Sequence, residues 1–144
     1  MLRPIFELLE SNSFFKILLI CVTLDIILGV CRAVKEHKFN SNVGIDGAIR
    51  KVAMIATVGL LMFVDVVAKI DVLSMVPEQY VKLLGIQKMG MCEFFCLLYI
   101  LYEAVSILKN MMLCGLPVPK RIGSFIEKFL EDMTEELPEE TEEK

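Results

Sequence analysis

The run MGMCEFFCLLYILYEAVSIL, from Met89 to Leu108, decides what kind of fold this chain can have. About 20 residues of α-helix span about 30 Å, the thickness of a bilayer's hydrocarbon core. Two further apolar blocks of similar length precede it, Phe14 to Cys31 and Ala48 to Ala68. None is free of charge, because Asp25, Asp65, Glu93 and Glu103 interrupt them. The alternative is a buried bundle in a soluble protein, but 144 residues with three such blocks leave too little polar sequence to cover them. The pattern therefore predicts an all-α membrane protein: three transmembrane helices, a short interfacial segment and a C-terminal amphipathic helix.

Composition supports that class. Apolar residues make up 56% of the chain, above the roughly 45–50% of soluble domains. The net charge of −4 hides an asymmetry, since Glu131, Asp132, Glu135, Glu136, Glu139, Glu140, Glu142 and Glu143 crowd the C-terminus. Without them the chain is basic, as suits membrane orientation and anionic lipid, and nothing resembles a nucleic-acid module. Cys21, Cys31, Cys92, Cys96 and Cys114 lie in or beside apolar blocks, where a free thiol acts as a small hydrophobe. Cys92 and Cys96 share a helical face, but His37 is the only histidine, so no metal set is complete. With no Ser-His-Asp set, no Cys-His pair in one segment and no phosphate-binding glycine loop, neither an enzyme nor a cofactor is expected. Internal repeats of the transporter kind are also missing.

The segments divide as 1–13, an N-terminal stretch; 14–115, the three-span membrane domain; 116–133, the amphipathic surface helix; and 134–144, an acidic tail expected to be disordered. Asp25 argues against reading the first block as a cleaved signal. The polar run from Asn40 to Gly47 reads as a turn, with Asp46 capping a second helix that starts near Gly47. Ile70 to Lys88 is too interrupted to span and predicts a short interfacial helix; whether it dips into the membrane stays open. Gly115, followed by Pro117, suits a left-handed C-cap for the third span. Beyond Pro119, Ile122, Phe125, Ile126, Phe129, Leu130 and Met133 form one face of a helix whose Lys120, Arg121 and Lys128 suit anionic lipid headgroups. Counting Lys and Arg by side gives ten for the first loop and tail against five opposite, so the N-terminus is expected outside and the C-terminus in the cytoplasm.

Ionisable groups at membrane depth are costly and face a bundle interior, a water path or a partner. Asp25 shares a face with Cys21 and Gly29, with Arg32 two turns on, and reads as interior. Asp65 has Lys69 one turn later, a pair that fits a helix end. In the third span Cys92, Cys96, Tyr99, Glu103, Ser106 and Asn110 recur at four, three, four, three and four. Such a stripe either lines an aqueous lumen or bonds across helices, and the pattern alone does not choose. Ala53, Ala56 and Gly59 mark a small-residue line on the second span.

Several runs in two parts of the chain carry a resemblance. Leu24 to Gly29, Lys38 to Ser41, and Gly44 to Gly47 with Ile49 to Ala56 resemble the phage holin family of Gram-positive bacteria. Tyr99 to Asn110, followed by Cys114 to Arg121, resembles its toxin-secretion branch, which accompanies large clostridial glucosylating toxins. The resemblance spans about residues 14–134. It implies a cytoplasmic-membrane protein that assembles with copies of itself into wide lesions, letting a large toxin or a cell-wall hydrolase (endolysin) cross. It implies no catalytic residue. A narrow ion channel and a membrane scaffold that recruits a secreted partner are the readings it competes with.

Overall fold

The computed structural model describes residues 11–37, 41–86 and 88–135. Its elements are α1 (Ser13–Lys35), α2 (Ser41–Ala68), a 3-10 turn (Val72–Met75), α3 (Glu78–Leu84), α4 (Met91–Cys114) and α5 (Lys120–Glu135). There is no strand among the described residues. Three helices are long and apolar enough to cross a membrane: Ser13–Lys35, Gly44–Ala68 and Met91–Cys114.

Local chemistry sets their ends. Asn12 caps α1 by accepting the Phe15 amide at 3.0 Å. Gly115, at φ 82°, ends α4 in the left-handed conformation that a Cβ disfavours. The start of α2 departs from the expected turn. The helix begins at Ser41 rather than near Gly47, so Asp46 lies inside it instead of capping it. A glycine costs only about 1 kcal/mol in a helix interior. Breaking the helix at Gly44 and Gly47 would instead expose backbone N–H and C=O groups beside lipid, at several kcal/mol each.

α4 packs along both α1 and α2, and α5 folds back on its end. The apolar core joins Leu18 and Val22 of α1, Val58 and Met62 of α2, and Cys92 and Cys96 of α4, with Phe14, Phe15, Leu61, Tyr99 and Ile100 against it. The outward faces stay apolar: Ile20 is 66% exposed, Val52 67% and Val67 68%. In a soluble protein such exposure would be a liability, whereas lipid is as apolar as these side chains.

Between α2 and α4 the chain makes the 3-10 turn and α3, the short helix expected there. Asp71 holds this connection back on itself, its Oδ1 accepting the amides of Leu73 (3.1 Å) and Met89 (3.2 Å). On α5, Ile126 is buried and Gly123 approaches Met112, so one side of the amphipathic helix covers α4. Ile122 and Phe125 stay exposed, as do Lys120, Arg121 and Lys128. The side chains of Phe129, Leu130 and Met133, the tail from 136 and the first ten residues lie outside the described set.

Candidate functional site

Each span has one buried stripe at three- and four-residue spacing, and each stripe carries charge or amide. On α1 it runs Leu18, Val22, Asp25; on α4 it runs Cys92, Cys96, Glu103, Ile107, Asn110. On α2 it runs Met54, Val58, Met62, with Lys51 one step before and Asp65 one step after. Packing the stripes together therefore brings the charges together.

At midspan the Lys51 ammonium bridges two carboxylates, 2.8 Å from Asp25 Oδ2 and 2.6 Å from Glu103 Oε2. Asp25 Oδ1 accepts Asn110 Nδ2 at 2.9 Å, and Asn110 Oδ1 accepts Arg32 Nη1 at 3.3 Å. Glu103 is 1% exposed and Asp25 7%, so these are desolvated charges that persist through the shared lysine and the hydrogen bonds around it. No buried side-chain nitrogen or oxygen lacks a partner among the described residues. One cation thus serves two anions and ties all three spans at one level.

A second polar region closes the opposite end. Asp65 does not pair with Lys69; its carboxylate instead accepts the amides of Met91 (2.9 Å) and Cys92 (2.7 Å), capping α4 from α2. The first-turn amides of a helix have no partner within it, and a carboxylate supplies both hydrogen bonds and charge complementary to the helix dipole. Glu93 accepts the Gly90 amide at 2.8 Å and the Asn12 side-chain amide, which links the start of α1.

Of the residues singled out from sequence, Asp25, Glu103 and Asn110 meet in the midspan cluster. Tyr99 sits half-buried against the apolar core, with its ring edge-on to Phe95 at 6.2 Å. Ser106 is half-buried outside the cluster, and Ile107 takes the buried position instead. Lys51 is the residue that sequence reading missed, because it was counted with the first loop. Its signal was present in the spacing of Lys51, Met54, Val58, Met62 and Asp65, which repeats at three and four. Arg50, also counted with the loop, lies in α2 and donates from Nη1 to the Tyr102 hydroxyl on α4.

The model of the bacteriophage holin family matches residues 6–131. The holin-like protein TcdE of Clostridioides difficile is 48% identical over 129 residues, covering 90% of this chain and 78% of that protein. No solved structure matches.

Proposed function

We propose that this chain, which belongs to the bacteriophage holin family, assembles with copies of itself in the cytoplasmic membrane into lesions wide enough to release folded cargo. That cargo is a large toxin, a cell-wall hydrolase, or both. The observation that carries the reading is the midspan cluster: two carboxylates, a lysine and an amide held at membrane depth by one another. A closed subunit can sit in lipid because its buried carboxylates share a cation internally, and its outer faces are mostly apolar. A lesion wall then needs only that subunits associate and turn a polar face to water. The family match and the name of the relative support release over a scaffold role.

The orientation that fits is N-terminus outside and C-terminus in the cytoplasm. Setting aside Arg50 and Lys51, which lie within α2, the Lys and Arg bias is eight to five and keeps its sign. A cysteine at position 2 should react with an impermeant thiol reagent in intact cells and one at position 42 should not; the reverse pattern inverts the topology. The function itself is tested by inducing the protein alone in a heterologous cell and following release of cytoplasmic proteins of graded size. Release of folded proteins is expected. Ion currents without protein release would support a narrow channel instead, and no permeability at all would support a scaffold.

A further inference from the structure

The outward surfaces of the spans are not equivalent. On α1 the outer face is mostly apolar beyond Lys16, with Ile20, Leu24 and Ile27 between 43% and 66% exposed and the Thr23 hydroxyl there turned back onto the Leu19 carbonyl. The seam where α2 meets α4 is different. Arg50 is exposed there and, among the described residues, has the Tyr102 hydroxyl as its hydrogen-bond partner; Tyr102 is itself 39% exposed. One turn along α4 from Tyr102 stands Ser106, half-buried, and Lys109 continues the same flank. Ala53 continues the α2 side, small and exposed.

A guanidinium offers five N–H donors, and the phenol accepts from one of its nitrogens. Arg50 also differs from Lys51 beside it, which is in contact with two carboxylates: Arg50 touches the phenol, while Asp46, one turn back on α2, and Glu103 act on it only at a distance. It stands about 9 Å into the span from Gly44 by helical rise, and the Tyr102 contact holds it on the bundle instead of letting it extend toward the interface. An arginine facing lipid at depth costs several kcal/mol. We infer that the α2–α4 seam of Arg50, Tyr102, Ser106 and Lys109, and not the buried carboxylates, is the face that the assembled protein turns to water, with the α1 face kept to lipid. This rests on the lesion reading above. It makes the wet wall cationic in this half of the membrane and leaves the Asp25–Lys51–Glu103 cluster intact during opening.

Two measurements test it. In a cysteine-free background, Ala53→Cys and Ser106→Cys should become reactive toward a charged, membrane-impermeant thiol reagent as cells begin to leak protein, while Ile20→Cys and Ile27→Cys should not. Leakage with positions 53 and 106 unreactive, the outcome if Arg50 instead reaches lipid phosphates and acyl chains cover the seam, overturns the seam but not the lesion. Reactive seam positions without protein leakage keep the seam wet and defeat the wide lesion; neither signal defeats both. In the native background Arg50→Leu separates the two environments by sign. At a wet face it should cut protein leakage about tenfold or more at unchanged membrane level, with Arg50→Lys recovering most of it. At a lipid face it removes a costly charge, so unchanged or faster leakage overturns the inference.

Discussion

The two polar regions of this bundle contain similar residues and work by different physics. At midspan, Asp25 and Glu103 are satisfied by side chains from other helices, above all by Lys51. At the far end, Asp65 and Glu93 are satisfied largely by backbone amides at the start of α4. The second arrangement is a local stitch that finishes a helix. The first is a long-range tie whose parts come from three spans and satisfy one another only when those spans are in register. A capping carboxylate can be lost at the cost of a helix end, whereas a shared cation cannot be lost without leaving two buried anions face to face.

That asymmetry orders the expected effects of mutation. Lys51→Leu should be the most damaging, costing about 3–5 kcal/mol because it strands both carboxylates. It should read out as low membrane accumulation and loss of the thermal transition of the detergent-purified protein; a near-normal transition would mean the cluster contributes little. Gly90→Ala comes next. A Cβ there would lie 2.5 Å from Asp65 Oδ2 and 2.6 Å from Glu93 Oε2, two oxygens already held by amides, so about 1–3 kcal/mol is expected from displaced caps. Asp65→Ala removes two hydrogen bonds to the first turn of α4 and should cost about 0.5–2 kcal/mol, visible as faster amide exchange at Met91 and Cys92. Glu103→Gln should be the mildest, about 0.6 kcal/mol, since Lys51 still pairs with Asp25 and an amide oxygen still accepts from it. If Glu103→Gln proves worse than Lys51→Leu, the shared-cation account fails.

The presence of three spans, the Gly115 terminator and the amphipathic α5 were legible because each depends on local chemistry: apolar run length, a left-handed cap, a three-four repeat. Asp25, Glu103 and Asn110 were legible as residues needing partners, since charge and amide at membrane depth require them. Their partner was not. Lys51 was hidden because Gly44, Asp46 and Gly47 imitate a turn, which moved the expected start of α2 to Gly47 and left Lys51 in its first turn, grouped with the loop cations. Asp65 was misdirected toward Lys69 for a related reason: spacing within a helix is visible in sequence, while backbone amides brought in from another helix are not. Ser106 shows the limit of a helical stripe, because the rotation of α4 that buries Ile107 is set by packing against α1 and α2.

The most direct test is a charge exchange between the two ends of the shortest ion pair among the described residues, Lys51 and Glu103, 2.6 Å apart. Lys51→Glu and Glu103→Lys should each collapse membrane accumulation, the first by assembling three anions at one level and the second by placing two cations against Asp25. Combined in one chain, they rebuild one cation between two carboxylates and should recover much of the accumulation and the thermal transition lost by either alone. A double variant no better than the worse single one would contradict the cluster as the tie between the spans.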